Sequence, residues 1–320
     1  MIETIEVVIL NKYPAANAIC GLDLALENGA ALPAFSAGAH IDLHLPSGLV
    51  RQYSLLNAGS DCHQYQIAVL RDPHSRGGSV EVHEVLQAGQ RVQISAPRNL
   101  FPLQSGVRHS VLIAGGIGVT PILSMARELN ASGSDFEVHY AARSRAAAAF
   151  GDQFQQAPLA AHSHCYFDAD NQRLDIARII TSAPASAHLY VCGPGGFIDY
   201  VLDGARKQGW DESRLHREFF AAPVHHLDST ADSPFELVIK SSGQIITVAA
   251  NQSAFEALDD AGINIPVSCE QGICGSCLTA VVHGIPDHRD NFLTDDEKSA
   301  NNQFTPCCSR AKGKRLVLGL

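Results

Sequence analysis

Short alternations of apolar and polar residues fill the first third of the chain, punctuated by turn residues. Glu3–Leu10, Ile19–Leu26, His40–Leu45, Gln52–Leu56, Gln64–Leu70 and Gln90–Ser95 read as strands at the spacing of an all-β barrel. The pattern then changes. Val111–Ala114 is a continuous apolar run, as in a strand buried on both faces, and Pro121–Leu129 has helical character. Phe136–Ala142 and His188–Cys192 follow as strands, the latter leading into a turn and a helix. Strands alternating with helices predict a parallel sheet covered on both faces. The polar stretch from His225 to Pro234 reads as a linker. Beyond it, Phe235–Lys240 and Gln244–Val248 predict a strand pair and Ala254–Ala261 a helix, a compact α+β unit.

The expected organisation is therefore multidomain, β then α/β then α+β. Residues 1–103 form a barrel, 104–225 a nucleotide-type domain, 226–234 a linker and 235–320 a small last domain. Nine extended residues span no more than ~30 Å, so that linker keeps the last domain close.

Composition narrows the function. The chain has 320 residues, 46% of them hydrophobic, and a formal charge of −10. It can fill proper cores, and its acidic balance argues against nucleic acid or an acidic membrane as partner. The opening Met1–Leu10 carries acids where a secretory signal would carry positive charge. The longest apolar region, Ser110 to Ala126, is broken by Gly115, Gly116, Gly118 and Pro121, so no membrane span is expected. The expected location is the cytoplasm.

Chemistry enters with the cysteines. Cys269, Cys274 and Cys277 give C-x4-C-x2-C, and Cys307 follows after 29 intervening residues. That is the plant-type spacing for a [2Fe–2S] cluster. Gly272 and Gly275 permit the sharp bends such a loop needs. A zinc site usually shows paired C-x2-C knuckles, whereas only Cys274 and Cys277 form one here. A disulfide framework suits small secreted domains, not 320 residues with an odd nine cysteines. Cys308 rivals Cys307 as fourth ligand; the plant-type interval selects Cys307 and leaves Cys308 as a small buried side chain.

Two glycine turns follow predicted strands. Gly115-Gly116-Ile117-Gly118-Val119-Thr120-Pro121 lets backbone N–H groups approach a pyrophosphate, with Thr120 as helix cap and Pro121 in the first turn. It is not the G-x-G-x-x-G fingerprint, because Pro121 stands where the third glycine would be. Cys192-Gly193-Pro194-Gly195-Gly196 is the second, and the two can face each other across a crevice. Cys192 reads as a wall residue beside a ring, since no adjacent histidine would activate it. After the second strand, Arg143-Ser144-Arg145 stands where an acid would bind the ribose of NAD, which leaves NADPH open.

A nicotinamide delivers a hydride and a cluster accepts one electron, so a flavin is expected between them. Arg51 and Tyr53 share one face of a strand in Arg51-Gln52-Tyr53-Ser54, a cation for phosphate beside an aromatic ring. Ser75-Arg76-Gly77-Gly78-Ser79 offers backbone N–H groups and a hydroxyl as a phosphate cradle.

In that order these motifs resemble the phthalate dioxygenase reductase family, over essentially the whole chain. Asp287-His288-Arg289-Asp290 and Cys307-Cys308-Ser309-Arg310-Ala311 complete the match. The resemblance implies a ferredoxin-reductase-type flavin barrel binding FMN, an NADH-binding sheet domain and a C-terminal plant-type ferredoxin domain of β-grasp type. It also implies a Rieske-type terminal oxygenase as partner. By motif, Arg51 and Gly77, Gly78 and Ser79 would hold the FMN phosphate. Gln52, Tyr53, Ser54 and Ala68, Val69 and Leu70 would border the flavin. Gly115, Gly116, Gly118, Thr120, Pro121, Arg143, Ser144, Cys192, Gly193 and Pro194 would serve the nucleotide. Ser54, Thr120, Cys192 and Phe220 would meet at the reacting rings, Phe220 because Glu218-Phe219-Phe220 matches the family's E-x-F. The family's usual preference is NADH. Charges in Asp287–Asp290 are expected to pair with each other. A freestanding NAD(P)H reductase of ferric chelates, quinones or dyes is the alternative, and a redox-sensing binding protein a more distant one.

Overall fold

The computed structural model describes residues 4–72, 77–220 and 232–320. The chain forms two compact units, Met1–Phe220 and Ala221–Leu320. Ser75, Arg76, the His225-His226 pair and the expected linker through residue 231 lie outside the described residues.

In the first unit an antiparallel barrel sheet comes first. Its strands are β1 (Thr4–Ala16), β2 (Ile19–Ala25), β3 (Ala39–His44), β4 (Val50–Ser54), β5 (Tyr65–Leu70) and β6 (Arg91–Ser95), with a short helix α1 (Gly78–Glu84) after β5. The order is β4-β3-β6-β1-β2-β5, and a two-residue β7 (Arg98–Asn99) adds to β3. Alternate residues such as Ile9, Leu22, Leu24, Ile41, Leu43, Ile67 and Ile94 fill its interior.

The first strand runs six residues beyond its predicted end. Irregularities at Ile9/Asn11 and Pro14/Ala16 bend it around the barrel while pairing with β2 continues. Polar Asn11 and Lys12 hid this from the alternation. Lys12 Nζ donates to the carbonyls of Val82, His83 and Leu86 at 3.0, 2.7 and 2.7 Å, satisfying carbonyls at the C-terminal end of α1.

The second half of this unit is a parallel sheet of β8 (His109–Gly115), β9 (Asp135–Ala142), β10 (Ser163–Phe167), β11 (His188–Gly193) and β12 (Leu215–Phe219), in the order β10-β9-β8-β11-β12. Both edge strands went unpredicted. They are short and largely half-buried, so neither carries an apolar run. The main helices are α2 (Val119–Ser132), α3 (Gly151–Gln155), α4 (Ile176–Ser182) and α5 (Gly195–Lys207).

Helix α2 begins earlier than predicted because a 3-10 turn over Gly116–Gly118 runs straight into it. Gly118 occupies the cap position and makes no side-chain cap bond. Thr120 is therefore inside the first turn rather than capping it, its hydroxyl donating to the Ile117 carbonyl at 3.2 Å. The helix also clamps the two halves together. Ser124 Oγ donates to the Asn57 carbonyl at 2.9 Å, Arg127 Nη1 donates to the Leu56 carbonyl at 2.6 Å, and Glu128 accepts from the Ala37 N–H at 2.9 Å. One apolar core runs across the boundary, joining Ile19, Leu56, Ala68 and Phe101 to Leu112, Val119, Ile122 and Leu123.

The second unit holds β13 (Phe235–Ile239), β14 (Ile245–Val248), α6 (Ala254–Asp260), β15 (Thr279–His283), β16 (Pro286–Asp287), α7 (Asp295–Ala300), β17 (Gln303–Phe304), β18 (Arg310–Ala311) and β19 (Arg315–Leu318). Its five-stranded sheet has the order β14-β13-β19-β15-β17, with β16 and β18 as a separate ribbon. Ser253 with Glu256, and Thr294 with Glu297, form capping boxes on α6 and α7. Arg310 is 1% exposed and donates to the carbonyls of Gln252, Ala249 and Ser233 at 2.6, 3.0 and 3.2 Å. Within Asp287–Asp290 it is Arg289 that pairs, with Asp287 at 2.8 Å and also with Asp232, while the buried His288 ring lies 3.6 Å from Asp290. No helix among the described residues is long and apolar enough to cross a membrane.

Arg127→Ala should cost roughly 1.5–3 kcal/mol, since it removes a charged donor and strands the Leu56 carbonyl at the barrel–sheet boundary. A lowered thermal midpoint of the full chain, by calorimetry, is the check.

Candidate functional site

Strands β8 and β11 are neighbours from which the chain departs in opposite directions, the switch point at which open α/β sheets bind ligands. Both glycine turns sit at the ends of these two strands, where Ala114 is paired with Cys192. Their backbones touch. A β-carbon on Gly118 would run into the Cys192 carbonyl and come within 2.6 Å of the Gly193 nitrogen. One on Gly193 would be 3.1 Å from the Gly115 α-carbon. Gly116 has φ +54, a left-handed conformation that suits glycine. Pro194 precedes α5, and Gly195 and Gly196 open onto free space.

At the end of β9, Arg143 is exposed and Ser144 half-buried. Neighbouring Arg145 is engaged, stacked on Phe167 at 4.6 Å and bonded to Asp170 at 3.2 Å.

Across the crevice the barrel contributes Ser54, whose hydroxyl donates to Glu218 Oε2 at 3.3 Å. Glu218 is paired with Cys192 in the β11–β12 register, so Ser54, Glu218 and Cys192 converge. Thr120 is buried, and Pro121 follows it in the helix. Phe220 packs on the core shared by barrel and sheet while Phe219 packs on the opposite core. Enclosure by protein pushes the Glu218 carboxyl up to about 8, offset in part by the Ser54 hydrogen bond. The Cys192 thiol is driven up as well, by burial first and Glu218 second. Glu218 is the residue the sequence reading passed over. Its only signal was the E-x-F match already used to choose Phe220.

The other barrel residues divide in two. The Arg51 side chain lies over Gly78, where a β-carbon would be 2.7 Å from its Nε. Gly77 has φ +93 beside it, so a guanidinium and a glycine turn meet in a cradle that a side chain would fill. The Ser79 hydroxyl accepts from the Asp72 N–H at 3.1 Å. Tyr53 shares the Arg51 face, its phenol pushed up by burial, and Ala68, Val69 and Leu70 lie in β5. The Gln52 amide is not on that face; it donates to Asp42 Oδ1 at 3.2 Å and lies 3.3 Å from His40.

In the second unit Cys269, Cys274 and Cys277 are buried and Cys307 is half-buried. The neighbouring Cys269 thiol holds the Cys274 thiol below its ordinary value, while Cys274 and burial push Cys269 up. Cys307 is raised by the same kind of contact, first with Cys277 and then with Cys308. Four cysteines at this spacing are the donor set of a plant-type [2Fe–2S] cluster. Backbone N–H groups of Gln271 and Ser276 reach Cys269 and Cys274 sulfurs at 3.3 and 3.4 Å. Glu270, Gly272 and Gly275 all have positive φ (54, 70 and 68). A β-carbon on Gly272 would be 3.0 Å from the Asp290 α-carbon, and one on Gly275 would strike the Phe292 ring.

A nucleotide crevice on one unit and a C-x4-C-x2-C loop with a fourth cysteine on the other define an iron–sulfur oxidoreductase of modular construction. Residues 237–312 match the model of the 2Fe-2S iron-sulfur cluster binding domain. Residues 95–215 match that of the dimethylamine monooxygenase subunit DmmA-like N-terminal domain. A vanillate O-demethylase oxidoreductase from Pseudomonas sp. strain HR199 is 54% identical over 318 residues, 99% of this chain and all of that one. The solved structure of phthalate dioxygenase reductase, described as modular for electron transfer from pyridine nucleotides to [2Fe-2S], superposes with a TM-score of 0.78. It is 37% identical and the match covers 99% of this chain and 98% of that one. A tetrachlorobenzoquinone reductase from Sphingobium chlorophenolicum is 39% identical over 324 residues, 100% of this chain and 99% of that one. The chain belongs to the phthalate dioxygenase reductase family.

Glu218 supplies a pH prediction. Its carboxyl holds a proton in the folded protein up to about pH 8 that the unfolded chain releases above about 4.5. Stability should therefore fall as pH rises from 4.5 through 8 and level off above. Glu218→Gln should flatten that part of the thermal-midpoint profile; an unchanged slope would mean the carboxyl is ionised throughout.

Proposed function

We propose that this protein is the reductase component of a two-component oxygenase, drawing hydride from NADH and delivering single electrons to a Rieske-type terminal oxygenase in the cytoplasm. The single observation that carries this reading is the presence, in one chain, of a switch-point crevice ending on Ser54, Glu218 and Cys192 and of a three-cysteine loop with Cys307 as a fourth cysteine at plant-type spacing. Bound FMN supplies the exchange between two-electron and one-electron chemistry, and a [2Fe–2S] cluster carries electrons one at a time.

On this reading residues 1–103 hold FMN, 104–225 hold NADH, 226–234 link and 235–320 carry the cluster. Arg51 and the Gly77-Gly78-Ser79 turn hold the FMN phosphate; Tyr53, Ser54 and Ala68–Leu70 border its ring. Gly115, Gly116 and Gly118 with Gly193 and Pro194 let the dinucleotide backbone approach closely. Thr120, Cys192 and Phe220 wall the place where nicotinamide and flavin meet. Glu218, protonated at neutral pH, puts no full negative charge there and can donate to an incoming carboxamide. Exposed Arg143 is free to approach the ribose end, and the family's preference favours NADH over NADPH. Cys269, Cys274, Cys277 and Cys307 would hold the cluster.

A second reading, direct reduction of a quinone, draws support from the similarity to the tetrachlorobenzoquinone reductase. NADH turnover with quinone at the rate measured with an oxygenase would favour it.

Anaerobic titration with NADH should bleach the flavin bands and raise a rhombic low-temperature EPR signal. Cys274→Ser should abolish the EPR signal while flavin bleaching stays within about twofold of the parent. Loss of flavin bleaching in that variant would refute the modular wiring.

A further inference from the structure

The residues after β9 are at odds with a preference for NADH. Arg143-Ser144-Arg145 stands where an acid would hold the ribose of NAD, and arginines at that place suit the 2′-phosphate of NADP. The neighbouring strand supplies what the motif lacks.

Strands β9 and β10 run parallel and end together, with Ala142 paired to Phe167. Each leads into a 3-10 turn, Arg145–Ala147 after β9 and Asp168–Asp170 after β10. The two chain segments are tied at the backbone, where the Ala169 N–H donates to the Arg143 carbonyl at 3.0 Å. The turn after β10 is also closed on itself. Asn171 and Gln172 N–H groups donate to the carbonyls of Asp168 and Phe167 at 3.0 and 3.1 Å, with Asn171 in left-handed backbone at φ 56. Asp170 therefore stands at a fixed place beside Arg145. Its Oδ2 accepts from Arg145 Nε at 3.2 Å, and the guanidinium lies over the buried Phe167 ring, 4.6 Å from the centroid. A guanidinium held by a carboxylate and an aromatic face has its charge offset and its fork already engaged. Arg143 is exposed, and a single guanidinium in water holds an anion weakly.

We propose that Asp170 is a specificity-determining residue: it withholds Arg145 from the 2′-phosphate of NADPH, so that the crevice takes the unphosphorylated ribose of NADH. This rests on the nucleotide reading given under the proposed function. Tight recognition of a phosphate dianion draws on several charge-assisted donors at once, and with Arg145 paired only Arg143 of the two arginines is open to it. The chain thus carries an arginine pair of the NADP kind, kept in the NAD state by an acid from the adjacent strand. All of these residues lie in the first unit.

The test is calorimetric binding of ADP-ribose and of its 2′-phosphate to the purified full-length flavoprotein, with anaerobic flavin bleaching by NADH and NADPH measured beside it. Asp170→Asn should tighten the 2′-phosphorylated ligand about tenfold relative to ADP-ribose and shift the bleaching preference toward NADPH in step. Asp170→Glu, which can keep the ion pair, should stay near the parent ratio. Adding Arg145→Ala to Asp170→Asn should remove most of the gain. An unchanged ratio in Asp170→Asn, or a gain that survives the loss of Arg145, overturns the proposal. So does a parent that already binds the 2′-phosphate more tightly than ADP-ribose. A parent that binds neither ligand would instead defeat the nucleotide reading of the crevice.

Discussion

Everything at the nucleotide crevice depends on one backbone-to-backbone approach. Gly118 lies against the peptide of Cys192 and Gly193 with no space for a β-carbon, and Gly193 in turn lies against Gly115. That contact sets the start of α2 against the end of β11, and α2 carries Ser124, Arg127 and Glu128 onto the barrel. A few missing methyl groups thereby fix how the barrel's Ser54 meets Glu218 on the last strand of the sheet. The residues that converge come from parts of the chain 164 positions apart.

The second unit solves a different problem by related means. Its cysteine loop must turn sharply while keeping the three sulfurs of Cys269, Cys274 and Cys277 buried, and left-handed backbone at Glu270, Gly272 and Gly275 does this. Around the loop, carbonyls that a short sheet leaves unpaired are collected by the buried guanidinium of Arg310. Arg289 ties Asp232, near the start of the unit, to the β16–β18 ribbon. The charges of Asp287 and Arg289, expected from the sequence to pair with neighbours, serve here as fasteners within the unit.

Much of this was legible from the sequence. Val111–Ala114, buried on both faces, announces itself as an unbroken apolar run, His188–Cys192 reads as a strand ahead of a turn, and the glycine turns and cysteine spacing mark the chemistry. The rest was hidden for physical reasons. Edge strands Ser163–Phe167 and Leu215–Phe219 are half-solvated, so their composition resembles that of loops. The extension of β1 to Ala16 is masked by Lys12, a polar residue employed inside as a helix terminator. Thr120 is a good capping residue in isolation, but a preceding 3-10 turn takes the cap position away from it. Glu218 was visible as a letter in a motif; only the β11–β12 register puts it opposite Cys192 and within reach of Ser54.

The single core that runs from Ile19, Leu56, Ala68 and Phe101 into Leu112, Val119 and Ile122 bears on how such proteins recombine. Barrel and sheet are distinct in topology but share their apolar filling, so a genetic crossover near residue 103 would part surfaces that have no other cover. A crossover after Phe220 leaves that core whole. The portable cassette is therefore barrel plus sheet, exchanged as one piece, with the ferredoxin unit as the other. Shuffling along that seam can pair a new cluster carrier with an old barrel-and-sheet unit without rebuilding either interior.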